Sequence, residues 1–172
     1  ERLFGYFPMS SELVIRPGLG DDRRVVDTSE HRSAMAREYS SYTRCSGDPM
    51  YRADHERHQM VLFPLFFTAF VIDDFVADND DFGAGQLVVS SASSKTSIGV
   101  AQLAHDRGLR VVGLTSAPNV EFCTALGIYD EVVTYDAVDT IATVASVFVD
   151  VAGNRDVVRS EEHTSELQSP CN

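Results

Sequence analysis

Residues 86 to 114 read QLVVSSASSKTSIGVAQLAHDRGLRVVGL, and the fold turns on them. Gln86 to Ser90 is a continuous apolar run of buried-strand length, and Leu109 to Leu114 is another. Between them Ile98, Ala101, Gln102 and His105 recur at helical spacing; Val100, Leu103 and Ala104 complete an apolar stripe, and Gly108 supplies the stop. The device repeats downstream in PNVEFCTALG, where Pro118 suits a first turn, Phe122, Ala125 and Leu126 form the expected buried face, and Gly127 ends it. Glu131 to Tyr135 reads as a third strand, Val138 to Ala145 as a third helix and Val147 to Gly153 as a fourth strand. This alternation predicts an α/β fold: a partial Rossmann-like, doubly wound parallel sheet of four strands in the order 3-2-1-4, joined by right-handed crossovers. In such a sheet a ligand sits at the carboxyl ends of the strands, where strand order reverses.

The turn after the first strand, Ser90 to Gly99, has five serines and a threonine among its ten residues, and it holds Lys95, the one lysine beside thirteen arginines in the chain. Small residues let the backbone approach a pyrophosphate, and a helix start offers unpaired amides and a positive dipole end to an anion. Ser93, Ser94, Lys95, Thr96 and Ser97 are therefore candidate phosphate contacts. The competing reading is a helix N-cap made by serine, with Lys95 pointing into solvent. Against the G-x-G-x-x-G template, Ser94 and Thr96 stand where two glycines belong and only Gly99 remains; a Walker loop fits less well, with Val89 and Ser94 at its glycine positions. No acid closes the second strand to hold a ribose hydroxyl. Thr115 and Ser116 stand there, which leaves room for a 2′-phosphate and points to NADPH rather than NADH.

The rest of the chain says less. Its 172 residues carry 14 basic and 26 acidic side chains, a net charge of -12 that lacks the basic footprint of a nucleic-acid or anionic-membrane binder. With 44% hydrophobic residues it has material for a core. Cys45, Cys123 and Cys171 have no paired spacing, which implies a reducing, cytoplasmic setting. Residues 1 to 18 read as β-rich with tight turns, and 19 to about 58 as a long surface insertion with one short helix. A buried apolar helix, too short for a bilayer, follows over about Gln59 to Asp74, and then an acidic loop to residue 82.

No metal site is expected: His55 and His58 in DHERH are one residue short of the zincin spacing, and the aspartates of DDFVADNDD read as an acidic turn. The Tyr-x-x-x-Lys base of a short-chain dehydrogenase is excluded, because Ser91 stands four residues before Lys95.

Taken together, residues 87 to 153 resemble the cofactor domain of the medium-chain dehydrogenase/reductase superfamily, of the zinc-independent quinone-reductase kind. The landmarks are Thr96–Gly99, Leu126–Asp130 with Val132, Val133 and Tyr135, and Asp150–Gly153. Residues 1 to 17 resemble the last strands of that superfamily's GroES-like catalytic domain, here 1 to 58 with its insertion; PLFFTAF resembles the helix leading into the nucleotide domain, 83 to 158. Residues 1 to 158 are more similar still to an uncharacterised, domain-of-unknown-function branch with the same SSASSKT turn. The resemblance implies an oxidoreductase acting on a small molecule with NADPH, and leaves a homo-oligomer open. It would put Ser97 and Ile98 under the pyrophosphate, and Thr115, Ser116 and Asn119 near the adenosine 2′ position. Tyr135 would lie against the 2′-phosphate or adenine, Val151, Ala152 and Gly153 beside the ribose, and Thr68 facing the nicotinamide. Tyr6 is the one proton donor suggested, at the domain cleft. The alternative is a non-catalytic Rossmann-like module that has lost the nucleotide.

Residues 159 to 172 interrupt a helical pattern begun at Arg155. From Arg159 to Ser169 the peptide is what one frame of a common sequencing adapter encodes, so the native chain is expected to be a fragment ending before it, with 13 basic and 23 acidic residues, net -10. The coding DNA is expected to show that adapter's codons over these residues; any other codon choice overturns the assignment.

Overall fold

The computed structural model describes residues 1–18 and 20–153, so the expectations for 154–172 lie outside the described residues. The chain divides into two compact units, Glu1–Val61 and the part from Leu62 onward.

The first unit is built on a three-stranded antiparallel sheet of β1 (Leu3–Phe4), β2 (Arg24–Val26) and β3 (Ser41–Arg44), with β3 in the middle. Its core is one aromatic residue deep. Tyr42 is fully buried, Phe7 stacks on it at 4.8 Å, and a side chain at Gly5 would strike its ring at 2.8 Å. Asp27 ties the neighbouring loops together, accepting from the amides of Arg16 and Ser29 and from the Ser29 hydroxyl. Burial alone would raise its carboxyl, but those hydrogen bonds and the Arg32 charge hold it below the usual range. Two of the three strands lie where a surface insertion was expected, because strands of three and four residues are too short to show a period of two. Its one expected helix is four short 3-10 turns instead, at Glu30–Arg32, Arg37–Tyr39, Cys45–Gly47 and Ala53–His55.

The second unit carries the long helix α1 (Glu56–Asp78) from Leu62 on, then β4 (Gln86–Val89), α2 (Lys95–Asp106), β5 (Arg110–Thr115), α3 (Val120–Ala125), β6 (Glu131–Thr134) and β7 (Ser146–Val149). Its four strands are all parallel, in the order β6-β5-β4-β7, which is the third, second, first and fourth strand of the unit. This is the Rossmann-like order that the alternation predicts, with its reversal between β4 and β7. Apolar side chains cover both sheet faces, as a parallel sheet requires. Leu87, Val89 and Val111 pack with Ala69, Val100, Ala101 and Ala104 on one face, and Val88, Val112, Leu114 and Val133 on the other.

Four expectations are corrected. The helix over Val138 to Ala145 is absent: a 3-10 segment, Tyr135–Thr140, leads into irregular chain. Five of those eight residues are β-branched, which disfavours a helix. In α3, Phe122 and Ala125 are exposed and Cys123 is the buried residue. In α2, Gln102 and His105 face outward. The apolar helix is also longer and far less buried than expected. Only Ala69, Asp73 and Val76 of α1 are buried, whereas Phe63, Phe66, Phe67, Phe70 and Phe75 are exposed. Among the described residues it is one helix long and apolar enough, by length and composition, to cross a membrane. It is nonetheless tied into this unit, since Arg107 binds both Asp73 of α1 and Asp81 of the acidic turn at 2.8 and 2.9 Å.

Close approach of α1 to α2 depends on Gly99, where an added Cβ would lie 2.7 Å from the Ala69 Cβ. Helix propensity alone would make Gly99→Ala stabilising by about 1 kcal/mol. Urea denaturation should instead show a loss of about 1–3 kcal/mol from overpacking. Gly85→Ala, with nothing within 4 Å of its added Cβ, should be neutral; equal behaviour of the two variants would contradict the packing.

Candidate functional site

The turn between β4 and α2 lies at the carboxyl end of the sheet beside the strand-order reversal, and it is held there by three polar anchors. The first is Ser90. β4 and β7 pair in register up to Val89 and Val149, so Ser90 and Asp150 are the next residues on each strand. The Ser90 hydroxyl donates to Asp150 Oδ1 at 2.7 Å and accepts from the amides of Val151 at 2.8 Å and Ala152 at 3.0 Å. Asp150 Oδ1 also accepts from the amides of Ala152 and Gly153. One buried hydroxyl thus fixes the start of both strand-end loops.

The second anchor is Tyr129. Its hydroxyl donates to the Ala92 carbonyl at 2.7 Å, while the Ala92 amide donates to the Leu114 carbonyl. Burial pushes the Tyr129 hydroxyl well above the usual phenol range, so it remains a donor throughout the working pH range. The ring has room because residue 113 is glycine: a Cβ there would lie 2.8 Å from Tyr129 and 2.9 Å from Ala92. The third anchor is Tyr135, whose hydroxyl accepts from the Ser91 amide at 2.8 Å. Ser91 has a φ of +50°, a left-handed conformation that costs a serine about 1–2 kcal/mol and is held by this bond. Asn119 adds a lighter tie, donating to the hydroxyls of Ser93 and Ser116 at 3.2 Å.

Past the anchors the turn becomes a helix start. Ser94 is the N-cap, its hydroxyl accepting from the Ser97 amide at 3.2 Å, and its carbonyl takes the Ile98 amide. The Ser97 hydroxyl is buried and donates to the Ser90 carbonyl at 2.8 Å. The amides of Lys95 and Thr96 have no partner among the described residues. Lys95 is exposed beside them. A helix N-terminus with two open amides, a neighbouring ammonium and hydroxyls in place of bulk can take an oxygen anion such as a phosphate.

The structure gathers most of the sequence-derived site residues here and gives several of them partners within the protein. Ser97 and Ile98, implied under the pyrophosphate, have their amides engaged by Ser94, so the open donors lie two residues earlier, at Lys95 and Thr96. Thr115 is buried, and Ser116 and Asn119 present polar groups at the end of β5. Tyr135 acts on Ser91 rather than standing free. Thr68 is exposed on α1 and donates to that helix's own Pro64 carbonyl at 2.9 Å; no described contact joins it to the turn. Tyr6 belongs to the first unit, 5.7 Å from the Tyr39 ring. Val151, Ala152 and Gly153 do border the crevice, their amides folded back on Ser90 and Asp150. Ser90, Tyr129 and Asp150 were not among the sequence candidates. The signals were present: a serine ending an apolar strand, a tyrosine two residues before β6, and an aspartate ending the last one.

Replacing Ser90 by alanine removes one donor to the Asp150 carboxylate and strands the Val151 amide, while the Ala152 amide keeps Asp150 Oδ1. Ser90→Ala should lower unfolding free energy by about 2–4 kcal/mol, and Tyr135→Phe by about 1–3 kcal/mol, in chemical denaturation. A loss below about 0.5 kcal/mol for Ser90→Ala would show that the two loops are not held through this hydroxyl.

A family model described as "Protein of unknown function (DUF2855)" matches residues 1–169, and its span runs on through the adapter-like peptide as far as Ser169. None of the curated proteins matches the chain.

Proposed function

The chain belongs to the DUF2855 family of proteins of unknown function, and from that premise we propose that its second unit binds a dinucleotide, NADPH, within an oxidoreductase of the medium-chain dehydrogenase/reductase type. The observation that carries this reading is the pair of open amides at Lys95 and Thr96, held by three anchors at the strand-order reversal of a parallel sheet. Dinucleotide folds hold their pyrophosphate at this place. On this reading Lys95, Thr96 and Ser93 hold the phosphates, Ser116 and Asn119 border the adenosine 2′ position, and Val151 to Gly153 border the second ribose. When bound, NADPH supplies a hydride to a small-molecule substrate. The protein's part is to fix the cofactor, through the Ser90, Tyr129 and Tyr135 anchors, before substrate arrives.

The same reading assigns the small antiparallel sheet to a GroES-like catalytic domain and the protein to the cytoplasm. A charge of -12 argues against nucleic acid as a partner. The packing of Ala69 and Val76 and the Asp73–Arg107 pair favour α1 as a helix of the fold over a membrane span.

One observation favours a second reading, a Rossmann-like module without nucleotide. Ser94 and Thr96 replace two glycines of the dinucleotide fingerprint, and the Ser94 hydroxyl already fills part of the cradle. Calorimetric titration separates the two. NADPH is expected to bind, with Lys95→Ala weakening it about tenfold or more and beyond the loss in Ser93→Ala. Absence of binding by NADPH and NADH at millimolar concentration overturns the cofactor reading, and an unchanged affinity in Lys95→Ala removes Lys95 from the site.

A further inference from the structure

We propose that Asp150 is the ribose-recognising acid of this crevice, accepting a hydroxyl of the second, nicotinamide-side ribose through its free oxygen. The proposal rests on the dinucleotide reading. Dinucleotide sheets place a carboxylate at the end of the second strand to grip the adenosine ribose. Here that position is Thr115, which is buried, followed by the hydroxyl of Ser116. The strand-end acid stands instead on the other side of the reversal, at the end of β7.

Its two oxygens differ in what they do. Oδ1 takes every contact the carboxylate makes: the Ser90 hydroxyl and the amides of Ala152 and Gly153, at 2.7, 3.0 and 3.1 Å. Oδ2 has no partner among the described residues, and Asp150 is exposed. An anchor alone would need only the first oxygen. Pinning one oxygen by three donors restrains the carboxylate and leaves the other unpaired at the exposed end of β7. A fixed, negatively charged acceptor suits a sugar hydroxyl and repels a phosphate, so the phosphates stay on the Lys95 side. The ligand that would use both the Lys95 side and Asp150 is therefore a dinucleotide with a free hydroxyl on its second ribose.

The test compares NADPH with 2′,5′-ADP, which has the adenosine half and no second ribose. Asp150→Asn keeps an acceptor oxygen for Ser90 and the two amides but removes the charge and one acceptor. It should weaken NADPH about tenfold and leave 2′,5′-ADP unchanged. Unchanged NADPH affinity overturns the proposal, and so does an equal loss for both ligands, which would make Asp150 an anchor only. A variant-free measurement covers the case in which Asp150→Asn does not fold: the unmodified chain should bind NADPH about tenfold more tightly than an analogue lacking both hydroxyls of the nicotinamide ribose, and equal binding overturns the proposal. If neither NADPH nor 2′,5′-ADP binds the unmodified chain, the dinucleotide reading itself fails, an outcome distinct from selective loss of the ribose contribution.

Discussion

The hydroxyl of Ser90 is the constraint on which the site depends. A parallel strand pair at an order reversal leaves two loops diverging from neighbouring strand ends, and the Val151 amide after β7 would otherwise be unpaired at the edge of a buried sheet. Ser90 meets that need with one donor and two accepted bonds, which is the full capacity of a hydroxyl. Alanine here would leave the amides of Val151 and Ala152 without this partner. Threonine would add a methyl where the residue has no exposed surface. The loops that a ligand would meet are thus fixed by an atom that the ligand need not touch.

Around this node the remaining anchors act in one direction, setting the start of α2. Tyr129 fixes Ala92, Tyr135 fixes Ser91 in its left-handed conformation, and Ser94 caps the helix two residues before Thr96. Gly99 then lets α2 lie against Ala69 of α1, and Gly113 lets the Tyr129 ring lie beneath the turn. The two glycines serve packing, and neither stands where a ligand would approach. Space for an anion comes from hydroxyl side chains folding back on the protein, which leaves two amides and one ammonium facing outward.

Much of this was legible in the sequence because it follows from periodicity. Buried parallel strands are apolar runs, and those of β4 and β5 at Gln86 and Leu109 were plain, as was the order 3-2-1-4. What periodicity cannot show is polar bonding across distant strands. Ser90 and Asp150 lie 60 residues apart, and a threonine at a strand end faces the core, as Thr115 does, or the solvent according to a register that one sequence does not reveal. The first unit was least legible: its core rests on Tyr42 and on the Asp27 hydrogen bonds, neither of which makes a repeating pattern. In α1 an all-round apolar run suggested full burial, yet only Ala69, Asp73 and Val76 are buried, with Ile72 packed beside them.

The central claim is that the turn after β4 is a preformed anion site with its open donors at Lys95 and Thr96. Amide-resolved NMR during titration with inorganic pyrophosphate tests it most directly. The largest shifts should fall on the amides of Lys95 and Thr96, with those of Ser97 and Ile98, already engaged by Ser94, moving far less. Shifts confined to other parts of the chain, or none in this turn at saturating pyrophosphate, would contradict the account.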